Sequence, residues 1–276
     1  MKALCVGIIN KKENFVDAQE SLLELKELGK SMGYTIIDSL LLSCAKIDAA
    51  FYLSKPMVQE LKRELEEKEG EILLFNEELS PTQLKNLENI LEMMVLDRTE
   101  LILKIFQDHA KTQEAKLQVE IAQLKYALPR LKRMWTHLSR IEGGFGFTKG
   151  PGETQIELDR RTIKNRIALL SKKLNLVATR RETRRKKRLT SDLLKVSLAG
   201  YTNAGKTSLL NLLAKEKLVV EDKLFATLSP VTRKVFLSSQ KYALISDTVG
   251  FIKKLPTPLI ASFKSTLQEI KLSDVS

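Results

Sequence analysis

The stretch Leu193-Leu194-Lys195-Val196-Ser197-Leu198-Ala199, then Gly200-Tyr201-Thr202-Asn203-Ala204-Gly205-Lys206-Thr207, then Ser208-Leu209-Leu210 runs from apolar residues through a glycine-bounded loop into a helical start. Its spacing is G-x-x-x-x-G-K-[ST] in the strand, loop, helix setting that gives the motif its meaning. Glycines let backbone N–H groups from Gly200 to Ser208 wrap phosphates at a helix N-terminus, where the helix dipole is positive. Lys206 then reaches the β and γ oxygens, and Thr207 offers an oxygen to Mg²⁺. The stretch predicts an α/β fold containing a partial P-loop NTPase domain over 191–276.

Downstream, Tyr242-Ala243-Leu244-Ile245-Ser246 reads as a second strand, and it delivers Asp247-Thr248-Val249-Gly250. An acid at a strand end can orient the magnesium shell, and the Gly250 N–H can sense a γ-phosphate. Between the two motifs, Phe225-Ala226-Thr227-Leu228 places Thr227 where a loop could close on the metal. The expected metal residues are therefore Thr207, Thr227 and Asp247, and the expected catalytic ones Lys206, Thr227 and Gly250. The remaining nucleotide contacts are expected from Gly200, Tyr201, Thr202, Asn203, Ala204, Gly205, Ser208, Phe225, Ala226, Thr248 and Val249.

Working back toward the N-terminus, the charge is concentrated in one place. The 276 residues hold 46 Lys plus Arg against 34 Asp plus Glu, a formal +12, and 13 of those cations with a single acid, Glu182, fall between Arg160 and Arg188. An ordinary exposed helix face mixes both signs, so a segment that excludes one sign points to a polyanion partner; a merely solvated face is the alternative. One Trp and 6% aromatics provide little for base stacking, so the contacts are expected to be to phosphates and nucleic-acid shape.

The basic block rides on a helical pattern. Leu117, Ile121, Leu124, Leu128, Leu131, Trp135 and Leu138 make one apolar seam, with Pro129 expected to kink it, and Ile156, Ile163, Ile167, Leu170, Leu174 and Val177 make a second. Two seams joined by a short loop predict an antiparallel coiled-coil hairpin over 106–190. Its tip, 143–153, has five glycines in eleven residues plus Phe145, Phe147 and Lys149, which suits close backbone approach to a ligand or RNA as well as a simple turn.

Residues 1–105 alternate apolar runs at Ala3–Ile9, Tyr34–Ile37 and Glu71–Phe75 with helical patterns around Asp17–Leu28 and Lys55–Lys68. Strand, helix, strand order predicts a small parallel α/β domain with no sign of catalysis. Ser80-Pro81 reads as a helix start. Cys5 and Cys44 sit in apolar stretches without metal-ligand spacing and are expected to be buried thiols. No apolar run reaches the ~18–20 residues that cross a bilayer, which sets the expectation of a cytoplasmic protein.

Taken together, Gly200–Thr207, Phe225–Leu228, Asp247-Thr248-Val249-Gly250-Phe251-Ile252 and Gly150-Pro151-Gly152-Glu153-Thr154-Gln155 resemble HflX-type GTPases of the translation-factor class. The likeness extends to Ala115–Glu120 and Leu128-Pro129-Arg130-Leu131 and, in general layout, to the N-terminal domain. The resemblance implies a GTP/GDP- and Mg²⁺-binding GTPase, monomeric, that binds rRNA of the large ribosomal subunit through the basic hairpin and its tip. It further implies splitting or rescue of stalled and idle ribosomes.

Two departures qualify it. Phe251 stands where many GTPases place a glutamine that aligns the attacking water; the family shares that apolar residue, so slow intrinsic turnover is expected. No Asn-Lys-x-Asp follows the P-loop, and 84 residues from Leu193 to Ser276 are fewer than the roughly 100–150 typical of a domain. The expectation is a shortened GTPase domain with weak, poorly guanine-selective binding. A non-catalytic rRNA- or ribosome-binding module is the alternative, and the P-loop alone also admits an ATPase.

Overall fold

The computed structural model describes residues 1–9, 14–131, 152–189, 193–214, 224–225, 228, 230–237, 241–256, 259, 270–271 and 273–275, with backbone alone at 152–155 and 180–189. By packing, the described chain falls into two compact units. One comprises Met1–Ile105 with Pro129–Lys149, the other Phe106–Leu128 with Gly150–Ser276.

The first unit is a parallel sheet in the order β2-β1-β3-β4, built from β1 (Lys2–Ile9), β2 (Thr35–Ser43), β3 (Ile72–Phe75) and β4 (Met94–Asp97). All four residues of β3 and six of the eight in β1 are buried, the unbroken apolar run of a strand covered on both faces. The crossovers are α1 (Phe15–Ser31), α2 (Lys55–Glu67) and α3 (Pro81–Leu91). α3 begins as its sequence predicts: the Gln83 N–H donates to Ser80 Oγ at 3.2 Å, and Gln83 Oε1 accepts from the Ser80 N–H at 2.9 Å, a capping box with Pro81 at the first turn. Cys5 and Cys44 are buried free thiols, and burial pushes the Cys5 thiol up to about 12. Cys5 is thereby kept protonated and unreactive.

β2 runs to Ser43, well past the expected end at Ile37, because Asp38 and Ser39 interrupt an apolar run without interrupting the ladder to β1. The last strand, β4, continues directly into α4 (Arg98–His109). At this junction Arg98 is buried, and its guanidinium donates to Ser21 O at 3.2 Å and Asn76 Oδ1 at 2.9 Å and pairs with Glu24. Arg130 is likewise buried, donating to Leu79 O at 2.6 Å and lying 3.6 Å from the buried Asp97 carboxylate.

In the second unit, α5 (Gln113–Ala127) packs along α6 (Gly152–Leu189). Leu117, Ile121 and Leu124 meet Ile167, Leu170, Leu174 and Val177, the two seams read from the sequence. Arg166 donates to Glu120 Oε1 at 2.8 Å across them. Pro129 does more than kink its helix. α5 ends at Ala127, and Leu128–Arg130 form a 3₁₀ turn, the tighter winding that remains once the proline removes a backbone donor. Trp135, Leu138 and residues 143–151 of the expected tip 143–153 lie outside the described residues, while Gly152 and Glu153 belong to α6 rather than to a loop.

The same unit contains the sheet β5-β7-β6, formed by β5 (Leu194–Leu198), β6 (Val231–Phe236) and β7 (Tyr242–Asp247). β5 and β7 are parallel and β6 is antiparallel to β7. α7 (Lys206–Ala214) covers it through Leu210, which packs on Val235, Ala243 and Ile245. On the outer edge of β5, Val275 forms a parallel bridge with Val196, its O accepting from the Ser197 N–H at 2.9 Å. Among the described residues no helix is long and apolar enough to cross a membrane.

Candidate nucleotide site

The parallel pairing of β5 with β7 brings Leu198 level with Asp247, so the glycine-bounded loop and the Asp247–Gly250 segment leave adjacent strand ends. That crevice is where open α/β sheets bind ligands. Backbone bonds tie the loops together: the Thr202 N–H donates to Phe251 O at 2.9 Å and the Phe251 N–H to Gly200 O at 3.0 Å. The hydroxyl of the buried Thr248 donates to Leu198 O at 2.6 Å, anchoring the second loop to the first strand.

Loop curvature requires unusual backbone at two positions. Gly205 has φ +79° and Asn203 φ 59°, the left-handed region that glycine and asparagine tolerate best. Lys206 and Thr207 then open α7. The Lys206 ammonium donates to Gly200 O at 3.2 Å and Tyr201 O at 2.6 Å, folded over the loop it belongs to. Burial holds its pKa below the ordinary lysine value, and the Asp247 charge partly offsets that. The Thr207 hydroxyl donates to Asp247 Oδ2 at 2.7 Å, and Asp247 is buried at the end of β7.

A phosphate chain and a hard cation fit this donor set. The loop opens into the N-terminus of α7, an ammonium lies over the loop, and a hydroxyl and a carboxylate, the oxygen ligands magnesium prefers, stand side by side. Tyr201, Asn203, Ala204 and Ser208 are exposed, Thr202 half-buried, and Val249 buried. Phe225 is also buried, its ring edge-on to Phe106 with centroids 4.6 Å apart, so its side chain serves packing. Ala226 and Thr227 lie outside the described residues. The backbone of Phe251 is a part of the site that sequence reading of side chains does not reveal, because its contribution carries no side-chain signature.

Gly250 allows the closest approach between the loops. A Cβ there would lie 2.6 Å from both N and Cα of Thr202 and 2.9 Å from its Cγ2. Backbone cannot yield as a side chain does, so Gly250→Ala is expected to cost about 1–3 kcal/mol of stability. Nucleotide affinity is expected to fall at least tenfold as the loops part. Thermal melts and calorimetric titration check both, and wild-type affinity in the variant would contradict the packing described.

Comparison with known proteins agrees in extent with this architecture. Three family profiles match consecutive parts of the chain: "GTP-binding GTPase N-terminal" at 19–107, "GTP-binding GTPase Middle Region" at 109–188 and "50S ribosome-binding GTPase" at 195–275. A protein named GTPase HflX from Caldanaerobacter subterraneus subsp. tengcongensis is 46% identical over 99% of this chain and 63% of its own length. The GTPase HflX of Escherichia coli K12 is 42% identical over 91% of this chain and 59% of its own. The chain thus spans about three fifths of these relatives' length. A crystal structure described as SsGBP in complex with GDP is similar with a TM-score of 0.54 and 28% identity, covering 100% of this chain and 71% of that one.

Proposed function

The chain belongs to the HflX family of GTPases, and from that premise we propose that it binds GTP and GDP with Mg²⁺, hydrolyses GTP, and associates with rRNA of the large ribosomal subunit. The observation that carries the nucleotide part is the pairing of the phosphate loop with the buried Asp247, 2.7 Å from the Thr207 hydroxyl, at adjacent strand ends. Guanine is favoured over adenine by the relatives' name and by GDP in the similar crystal structure.

In this reading Lys206 exchanges its contacts with Gly200 O and Tyr201 O for β and γ oxygens, and the backbone N–H groups of the loop cradle the rest. Thr207, Thr227 and Asp247 would hold magnesium, which would supply neutralisation of phosphate charge. The Gly250 N–H senses the γ-phosphate. The Phe251 side chain has no hydrogen-bonding group, so water alignment falls to another group or to the partner, and unaided turnover is slow.

Ribosome association is supported by the likeness of 195–275 to the 50S ribosome-binding GTPase family and by the charge of α6, which spans the basic block. Functionally we divide the chain into an α/β domain at 1–105, a ribosome-facing hairpin at 106–190 and a nucleotide switch at 191–276, acting as a cytoplasmic monomer in splitting or rescuing stalled ribosomes. The rival reading, a passive RNA-binding module, makes one different prediction: nucleotide leaves its affinity unchanged.

Sedimentation with purified large subunits tests both. Affinity is expected to fall by about 0.7–0.9 log units per log unit of salt for each phosphate neutralised, and reversing the charge of Arg184, Arg185, Lys186 and Lys187 is expected to weaken it severalfold. Tighter binding with a non-hydrolysable GTP analogue than with GDP supports the switch. Salt-insensitive binding would remove RNA as the reason for the basic block.

A further inference from the structure

Composition alone argues against a base-stacking platform, yet two aromatics gather at one exposed spot. Phe236 ends β6 and pairs across the ladder with Tyr242, which begins β7. Their rings meet edge-on with centroids 5.4 Å apart, and Phe236 remains 60% exposed and Tyr242 42%. Strand alternation explains the exposure: Val235 and Ala243 take the face packed on Leu210, leaving Phe236 and Tyr242 on the other. An aromatic pair left in water at a sheet end is the kind of apolar exposure that marks a contact.

The surroundings identify the contact's chemistry. Lys234 Nζ stands 4.1 Å from the Tyr242 ring centroid, and Lys241, beside Tyr242, is exposed. From Val231 to Ser246, across β6 and β7, the sequence holds three cations and no acid. Flat π-faces interleaved with ammonium groups suit an unpaired base flanked by phosphates, since stacking supplies the apolar contact and the cations the charge complement. We propose that the exposed end of the β6–β7 hairpin is a second nucleic-acid contact, in which an unstacked base of single-stranded RNA lies on Phe236 while Lys234 and Lys241 take the neighbouring phosphates.

The inference rests on the reading that RNA is the partner of α6, and it adds a preference that α6 does not supply. A basic helix grips phosphates of paired and unpaired RNA alike, whereas stacking requires an open base. The test compares a fluorescein-labelled, unstructured RNA of about 12 nucleotides with a duplex of the same length, by anisotropy on the whole chain. Phe236→Ala and Phe236→Leu are expected to weaken single-strand binding about tenfold, with Phe236→Trp retaining it and the duplex unaffected. Lys234→Gln is expected to flatten the single-strand salt slope by about 0.7.

Wild-type affinity in Phe236→Leu, or equal losses on duplex and single strand, would overturn the proposal. So would variants that lose subunit binding but keep the oligonucleotide, which would make the patch a protein contact. If the wild type binds neither RNA, the RNA reading of α6 fails together with it. If the duplex still binds and responds to charge reversal at Arg184–Lys187 while the Phe236 variants match the wild type, only the hairpin contact fails.

Discussion

Lys206→Ala is expected to lower single-turnover GTP hydrolysis by about a hundredfold to a thousandfold, the scale for deleting one preorganised charge aimed at a transition state. The ammonium is partly desolvated before any phosphate arrives, with its pKa already drawn down by burial. Its present partners are the loop carbonyls of Gly200 and Tyr201, so the charge gives up little when it turns to phosphate. The same geometry predicts that the variant folds. Both carbonyls lie on a solvent-facing loop where water replaces the lysine, and the melting temperature is expected to move by no more than a few degrees. Retention of the wild-type rate would exclude Lys206 from the chemistry. A wild type without turnover, combined with nucleotide-independent subunit binding, would favour the passive module.

The largest effect on stability is expected at Arg98. Its side chain is 2% exposed and joins the β4–α4 junction to two other parts of the first sheet unit: Ser21 and Glu24 of α1, and Asn76 just beyond β3. Removing one partner of a buried pair leaves desolvated groups without compensation, so Arg98→Ala is expected to cost about 3–5 kcal/mol. Arg98→Met restores volume but not the donors, and is expected to recover only part of the loss. Urea denaturation followed by far-UV circular dichroism measures both. A loss below about 1 kcal/mol for the alanine variant would mean the buried network is not needed to hold α1 on the sheet.

The sequence makes some of these features legible and hides others for physical reasons. The phosphate loop can be read because chemistry fixes both residue type and spacing from Gly200 to Thr207. The α3 start at Ser80 can be read because capping is local. The α5–α6 seam can be read because the helical period repeats over several turns. β4 is harder: Met94-Val95-Leu96-Asp97 is only four residues, bounded by Glu92 in a left-handed conformation and running straight into α4, so no turn residues announce it. Arg98 looks like any surface cation until the fold encloses it. β6 pairs antiparallel beside β7, while Thr232 and Arg233 give its sequence a polar appearance. Phe225 reads as part of a nucleotide loop, yet its ring belongs to packing with Phe106, a contact distant in sequence.

The clasp between the two loops is made entirely by main chain, through the Phe251 N–H and carbonyl bonded to Gly200 and Thr202, while the Phe251 side chain stays 37% exposed. Architecture and side chain are thereby uncoupled at this one position, since any residue except proline, which lacks the N–H, preserves the clasp if it keeps the same backbone. A lineage can therefore exchange the side chain at 251 without renegotiating the loop that holds the phosphates. Position 251 is in that sense an interchangeable fitting, mounted on a frame that such exchanges leave intact.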